Sequence, residues 1–251
     1  MSTETTYRDG HRLAAAARSI LSCPGDVQLV VDGITGSLGG PSGLGGPDDG
    51  HLEMQDDGGR PVLSCPAGSP LAIAATDARG ALLVVTSGLG RAGSPDRDAT
   101  LTLSGRLEAT GLEQCPCCDE LRMRIALHLD FALLARGSEP DGAPDATRIR
   151  VPLSAFASPA HELNRGFLQR STEHANLCHQ DELRHAVATL TRTRLGEVVG
   201  VQLAELCARG VVLQWVDLTG AHTATLTFPR PARTASELGE LLRSELHAGL
   251  C

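Results

Sequence analysis

The chain has 251 residues, a net charge of −8 and a hydrophobic fraction of 41%. That length allows one large domain or two modest ones, and the apolar content suits a globular core. The acidic charge argues against a general nucleic-acid binder. No apolar run approaches the length that spans a membrane and no secretory leader is visible, so we expect a cytoplasmic protein.

All 22 positively charged side chains are arginine, because the sequence contains no lysine. This composition excludes a Walker-type phosphate loop and any mechanism that needs a Schiff-base lysine. A bound phosphate would have to be held by arginine, backbone N–H groups or hydroxyls. The eight cysteines are expected to be free thiols, because disulfides are rare in the cytoplasm.

The first part of the chain predicts mostly antiparallel strands. An amphipathic helix is predicted at 9–21, and Pro24-Gly25 ends it. A Gly/Pro-rich loop at 36–50 lacks the setting of a nucleotide-binding loop. The predicted strands cover residues 27–31, 51–55, 61–65, 81–87, 99–109, 121–133 and 148–153, with a short helix at 71–76. Such strand spacing suits a small barrel within residues 1–156.

Residues 121–133 alternate between apolar and polar side chains, which is typical of a half-buried strand. The predicted inner face carries Leu121, Met123, Ile125, Leu127, Leu129, Phe131 and Leu133. The opposite face carries Arg122, Arg124 and His128. Arginines beside a histidine could pair with haem propionates or a flavin phosphate, although a solvated strand face explains the same residues.

The second part, residues 157–251, predicts an α-β-β-β-α domain, which makes the chain an α+β protein. A long helix is expected from Ser158 to Leu190, with Ser158 as N-cap, Pro159 at the first helical position and Gly196 beyond the end. Strands follow at 198–207, 211–218 and 221–228, and a final helix at 236–247.

The long helix carries the densest set of ligand-type residues. Its H-x-N-x-x-H pattern consists of His174, Asn176 and His179. On a straight helix five residues rotate the side-chain direction by about 140°, so we expect His179 in the core and His174 toward solvent. A second stripe, formed by His174, Cys178, Asp181 and His185, fits either a metal site or a solvated helix face.

The motif HANLCH, the meander from Gly200 to Phe228 and the FPRP at 228–231 together resemble the C-terminal domain of HugZ-type haem-utilisation proteins. The same domain occurs in a plant regulator that binds glutamyl-tRNA reductase. The family pattern is close to H-M-N-x-D-H, and here Cys178 replaces the acidic residue. The segments 57–72 and 101–111 resemble the FMN-binding-like split β-barrel of pyridoxamine 5'-phosphate oxidase-like proteins.

This resemblance implies a homodimeric split barrel (residues 1–156) that binds haem or FMN in a cleft. The motif residues His174, Asn176 and His179 are candidate cofactor contacts. In the barrel the candidates are His51, His128, Arg122 and Arg124. Haem needs one neutral imidazole that reaches the iron.

Three functions remain open at this point. The leading hypothesis is a haem-binding protein of the haem-utilisation type, with haem degradation as its activity. The alternatives are an FMN-dependent oxidoreductase on the same fold and a non-catalytic regulatory module that binds a protein of tetrapyrrole metabolism. The sequence Cys115-Pro116-Cys117-Cys118 fits a cysteine-containing loop better than structural zinc, which needs four ligands.

Overall fold

A computed structural model describes residues 3–39, 52–90, 96–114, 120–137 and 147–247. The chain divides into two compact units, Met1–Gly166 and Phe167–Cys251, which are described separately below. The domain boundary expected from the sequence, between residues 156 and 157, stays a prediction.

The first unit is a mixed α+β structure in which an antiparallel sheet of eight strands curls into half a barrel. Its helices are α1 (Thr3–Ser22), α2 (Pro70–Thr76) and α3 (Leu153–Phe156). Its strands are β1 (Pro24–Val31), β2 (Leu38–Gly39), β3 (Glu53–Asp57), β4 (Arg60–Pro66), β5 (Gly80–Ser87), β6 (Thr100–Gln114), β7 (Leu121–Arg136) and β8 (Thr147–Arg150). The strands follow the order β2-β1-β5-β6-β7-β4-β3, and β8 pairs with β7.

The core of this unit is built from aliphatic side chains, as the low aromatic content of 2% requires. Leu83, Leu101 and Leu103 point inward from neighbouring strands and are fully buried. Ala14 and Ala17 of α1 are also fully buried in this cluster. Their small side chains let the helix backbone come close to the apolar layer of the sheet.

Most predicted elements of the first unit are present, including the helix at 9–21, the β3–β4 hairpin and the long strand β7. The strand predicted at 148–153 ends at Arg150, and Leu153 begins helix α3. The Asp-Asp-Gly-Gly turn of the hairpin places Gly58 and Gly59 at positive φ, 64° and 94°. Ser69 caps α2 by accepting a hydrogen bond from the Ala72 N–H. Ordinary turn and capping chemistry therefore explains these local features.

The inner face predicted for β7 is correct only from Met123 to Leu129, because Leu121 is 50% exposed. After Leu129 a β-bulge interrupts the pairing with β6. Ser104 faces Phe131 and Gly105 faces Leu129, so Asp130 is the extra residue. A bulge moves the residues beyond it to the opposite face. Consequently Ala132 and Leu134 are buried, while Phe131 and Leu133, which were expected inside, are only half-buried.

The second unit follows the order α4, α5, β9, β10, β11, α6. The helices are α4 (Arg165–Cys178, which begins at the end of the first unit), α5 (Gln180–Thr191) and α6 (Ala235–His247). The strands β9 (Gly200–Cys207), β10 (Gly210–Asp217) and β11 (Gly220–Thr227) form an antiparallel meander in the order β11-β10-β9. The three predicted strands and the final helix are present. No helix of the described residues is long and apolar enough to cross a membrane.

The single helix expected from Ser158 to Leu190 is wrong. Ser158 does accept a hydrogen bond from the Ala160 N–H, but it opens only a 3₁₀ turn, Pro159–His161. Helix α4 starts at Arg165 and stops at Cys178, and α5 ends at Thr191, well before Gly196. Arg192, with φ 57° and ψ 29°, takes the left-handed conformation that terminates α5.

His179 is the one residue that separates α4 from α5. Its φ of −125° and ψ of 36° are not helical, although its N–H still bonds the Ala175 carbonyl and its carbonyl accepts from the Leu183 N–H. Asp181 and Glu182 lie in the first turn of α5, where negative charge stabilises a helix N-terminus. The backbone therefore turns at this residue without leaving its own polar groups unpaired.

Strand β6 offers a matched test of the bulge. A Cβ on Gly105 would overlap the carbonyl oxygen of His128, whereas a Cβ on Gly111 would meet nothing within 4 Å. We expect Gly105→Ala to lower the free energy of unfolding by about 1–3 kcal/mol, because β6 and β7 must move apart around the new methyl group. Urea unfolding measures the loss. Gly111→Ala is the control and should be neutral or slightly stabilising; equal losses in both variants would contradict the role given to Gly105.

Candidate functional site

The candidate site of the first unit depends on a buried ion pair. The guanidinium Nε of Arg18 in α1 lies 3.1 Å from Oδ2 of Asp56 at the β3–β4 turn. The two side chains are only 2% and 8% exposed. A buried charge is stable only when it is paired and hydrogen-bonded. The pair therefore fixes α1 against the hairpin turn.

Further hydrogen bonds extend from this ion pair to the segment after α3. Arg18 Nη1 donates to the carbonyl of Phe156 at 3.0 Å, and Ser22 Oγ donates to Asp56 at 2.5 Å. Asn164 Nδ2 in turn donates to Ser22 Oγ and to the carbonyl of His161, each at 2.9 Å. Residues far apart in sequence are thus joined in one polar network that holds the backbone of His161.

The imidazole of His161 is buried, with 8% of the residue exposed. Among the residues that the structure describes, its Nε2 has no hydrogen-bond partner. Buried polar atoms without a partner are rare in folded proteins and call for an explanation such as a ligand. The ring of His11 from α1 lies beside it, with centroids 5.5 Å apart and planes at 52°.

The surroundings of His161 favour the neutral imidazole. Burial, together with the nearby His11 and the positive charge of Arg18, lowers the pKa of His161 below its ordinary value. A neutral imidazole carries a lone pair on one nitrogen, and this is the form that binds a metal. His161 therefore combines an unpartnered ring nitrogen with the neutral form that can bind a metal.

A cavity of about 450 Å³ is lined by His11, while His161 lies behind the His11 ring and is not among the lining residues. Its volume is within the range of ordinary small-molecule sites. Its wall combines small apolar residues with hydroxyls and one imidazole: Gly10, His11, Pro152, Ser154, Ala155, Ala157, Ser158 and Pro159. None of these lining residues is an arginine, so acidic groups of a bound molecule would have to face solvent.

Sequence analysis did not single out His161. It was placed inside one long helix, and neither periodicity nor spacing distinguished it from neighbouring polar residues. Its environment depends on Arg18, which lies 143 positions earlier, and on the non-helical return of the chain after Phe156. The Ser158-Pro159 start signal was the one local hint, since it marked a change of backbone direction just before His161.

The barrel candidates occupy a different part of the first unit. His128 of β7 is exposed and its Nε2 lies against Oε2 of Glu108. Arg122 donates to the Ser64 hydroxyl at 2.9 Å and to the Ser64 carbonyl at 3.0 Å, and Arg124 is exposed. None of these three side chains lines the cavity next to His11. His51 lies outside the described residues, and the roles of all four stay predictions.

In the second unit the structure brings His174 and His179 together, contrary to expectation. His179 is exposed and not in the core, because the backbone leaves the helical path at this residue. Its Nε2 lies 3.3 Å from Nε2 of His174. The inward prediction assumed a straight helix and is therefore wrong.

Asn176, the middle residue of the motif, is engaged with the edge strand β9. Its Nδ2 donates to the Leu203 carbonyl at 2.9 Å, and its Oδ1 accepts from the Leu203 N–H at 2.8 Å. The side chain thus satisfies both polar groups that the edge strand presents at this residue. Arg184 anchors α5 separately, through bonds to the Val198 carbonyl at 2.8 and 3.2 Å. Helices α4 and α5 are thus held by separate hydrogen bonds to different backbone groups.

The cysteine candidates Cys115, Cys117 and Cys118 lie outside the described residues. The described cysteines form no disulfide. Within the described parts of the chain, no group of three or more His, Cys, Asp or Glu side chains is arranged to hold a metal ion. The stripe from His174 to His185 is interrupted by the break at His179.

No family model and no curated protein matches the sequence. Solved structures similar to the chain include a haem-binding protein from Mycobacterium smegmatis, which is 14% identical with a TM-score of 0.39 and covers 94% of this chain and 97% of that chain. A protein of unknown function from Agrobacterium tumefaciens is 16% identical with a TM-score of 0.37, covering 93% and 94% of the two chains. An FAD- and haem-binding protein from Mycobacterium smegmatis is 15% identical with a TM-score of 0.34, covering 55% and 80%. Since every one of these TM-scores is below 0.5, the likenesses assign neither a family nor a function.

The buried ion pair can be tested by comparing two neighbouring aspartates. Asp56→Ala should lower the free energy of unfolding by about 3–5 kcal/mol, because it leaves the charge of Arg18 buried and uncompensated. Asp57→Ala is the control. Its carboxylate is 53% exposed and pairs with Arg60 in solvent, so its loss should stay within about 1 kcal/mol. Urea titration of both variants decides the matter, and similar losses would refute the structural role of the Arg18–Asp56 pair.

The lowered pKa of His161 predicts a pH dependence of stability. Between the folded pKa and the unfolded value of about 6.5, the unfolded chain binds a proton that the folded chain excludes. The contribution to stability is therefore complete above about pH 6.5 and is lost as the pH falls through the folded pKa. The free energy of unfolding, measured from pH 8 to pH 5, should fall more steeply for the wild type than for His161→Gln. Parallel curves would show that His161 titrates normally.

Proposed function

We propose that the chain binds haem in its first unit, with His161 as the ligand to the iron. The observation that carries this proposal is the buried Nε2 of His161, which has no hydrogen-bond partner among the described residues. The neighbouring ring of His11 lines a cavity of about 450 Å³. A haem iron takes a neutral imidazole as its axial ligand. Among the described histidines, His161 combines burial with an unpartnered ring nitrogen, which meets that requirement.

The residues around His161 fit the group in three respects. The lowered pKa keeps the imidazole neutral near pH 7. The cavity wall contributes Ala155, Ala157 and Pro159, whose small apolar surfaces suit the face of a large planar ring. The bond from Asn164 to the His161 carbonyl fixes the backbone from which the ring projects. The bound iron would supply redox and oxygen chemistry, and the chain's part is to hold and shield it.

Arg18 has two effects on this site. Its bond to the Phe156 carbonyl sets the position of the segment that leads to His161. Its charge also disfavours the imidazolium form of His161. The same side chain therefore orients the proposed ligand and preserves its lone pair.

The other expectations drawn from the family resemblance stand beside this proposal. Haem degradation, a homodimer and binding of FMN stay predictions, and so does a regulatory role in tetrapyrrole metabolism. The two Mycobacterium smegmatis proteins described above are named for haem binding. Their names agree with the proposal but do not carry it.

Absorption spectroscopy tests the proposal directly. Haem added to the purified chain should give a saturable Soret shift with one haem per chain. His161→Ala should abolish or strongly weaken this shift, because it removes the iron ligand. His128→Ala is the matched control in the same unit and should bind as the wild type does, since its side chain is exposed and in contact with Glu108.

Each other outcome has a definite meaning. Loss of the shift in His128→Ala alone would transfer the iron ligand to the barrel face and contradict the assignment of His161. No shift in the wild type would refute haem binding. Flavin in the supernatant of the denatured protein would then support the FMN hypothesis, and its absence the regulatory one. Urea unfolding of each variant shows that loss of binding is not loss of folding.

A further inference from the structure

Two solvent-exposed imidazoles face each other at the junction of α4 and α5. The Nε2 atoms of His174 and His179 lie 3.3 Å apart. The ring centroids are 5.0 Å apart and the planes are inclined at 77°. The arrangement exists because His179 leaves the helical path, which turns its ring back toward the preceding turn.

The separation of the two nitrogens matches the bite of a metal chelate. Imidazole nitrogens bind Zn²⁺ at about 2.0–2.1 Å in tetrahedral geometry, which places two such nitrogens about 3.3 Å apart. A hydrogen bond between the imidazoles also accounts for the distance in the metal-free protein. In that state one ring donates its Nε2–H to the lone pair of the other.

Glu182 determines which of the two facing Nε2 atoms carries the lone pair and which carries the proton. Its Oε1 lies 3.2 Å from Nδ1 of His179. A carboxylate holds the proton on the nitrogen that faces it, so the Nε2 of His179 is left as an acceptor. Carboxylates in this position orient metal-binding histidines and raise their basicity. In the metal-free protein His174 therefore donates its Nε2–H to His179.

We propose that His174 and His179 form a two-histidine chelate for a borderline divalent transition-metal ion, of which Zn²⁺ is the example tested below. The ion takes the place of the proton between the two Nε2 atoms, and that proton moves to Nδ1 of His174. No third ligand side chain converges on this place among the described residues, so water completes the coordination shell. Glu182 is a positioning residue that acts through His179.

This site is independent of the proposed haem site. It lies in the second unit, and it uses neither His161 nor the cavity next to His11. Its histidines are exposed, so a hydrated ion reaches them without any opening of the structure. Imidazole ligands favour ions such as Zn²⁺, Ni²⁺ and Cu²⁺ over Mg²⁺ or Ca²⁺.

Calorimetric titration of the full, metal-stripped chain with Zn²⁺ tests the proposal. Thiols such as those of Cys115, Cys117 and Cys118 also bind Zn²⁺, so the readout is the difference between variants. The wild type should bind one more ion per chain than either His174→Ala or His179→Ala. His185→Ala is the control, because His185 is a half-buried histidine of α5 whose Nδ1 bonds the Asp181 carbonyl instead. It should retain the full number of ions.

Glu182→Gln separates a positioned chelate from two incidental histidines. It should weaken the histidine-dependent binding by about 10–100-fold, as loss of an outer carboxylate typically does, while the number of ions stays unchanged. His174→Gln keeps a polar side chain of similar size and serves if the alanine variants unfold at lower urea concentration. Equal Zn²⁺ binding by the wild type, His174→Gln and His179→Ala would overturn the proposal.

Discussion

The buried pair of Arg18 and Asp56 is the constraint on which the first unit depends. Its members are 38 positions apart, and between them they hold α1, the β3–β4 turn and the segment after α3. Asp56 also accepts the Gly59 N–H at 2.7 Å, so the turn itself is part of the network. A glycine is required at position 59 for two reasons. Its φ is 94°, and a Cβ at this position would lie 2.9 Å from the Phe156 carbonyl oxygen. The positions of α1, the β3–β4 turn and the segment after α3 are thus fixed by one buried ion pair.

This network explains how a histidine can be buried with an unpartnered nitrogen. An imidazole in an apolar place loses its hydrogen bonds to water, and folding has to compensate elsewhere. Here the compensation comes from fully satisfied neighbours: Arg18, Asp56 and Asn164 have their hydrogen bonds, and only Nε2 of His161 does not. An unpartnered buried polar atom of this kind is typical of places that bind a ligand.

Sequence reasoning succeeded where the determining interactions are local. The turn at Gly58-Gly59, the cap at Ser69 and the period-two strand β7 could each be predicted from a few neighbouring residues. It failed where a residue far away in the sequence contributes to the local structure. The bulge at Asp130 lies opposite Gly105 of the adjacent strand. On either side of His179, Asn176 and Arg184 bond backbone groups that lie far away in the sequence. No periodicity within α4 and α5 contains that information.

The break at His179 also shows why a motif match does not define a site. The residues His174, Asn176 and His179 resemble one family pattern, yet the structure gives them different tasks. Asn176 completes the hydrogen bonds of the edge strand β9, while the two histidines turn away from it and face each other. The spacing in the motif therefore serves both the strand edge and the imidazole pair, because the single non-helical residue lets the last histidine change direction.

Solvation separates the two histidine sites chemically. His161 is desolvated and lies near the charge of Arg18, so it remains neutral and suits a ligand whose surface is mainly apolar. His174 and His179 are solvated, and Glu182 supplies negative charge beside them. A hydrated cation loses little water on arriving there, whereas it would lose much of its hydration at His161 beside the positive charge of Arg18. Burial and the neighbouring charge thus determine which ligand an imidazole suits: a mainly apolar ligand at His161 and a hydrated cation at His174 and His179.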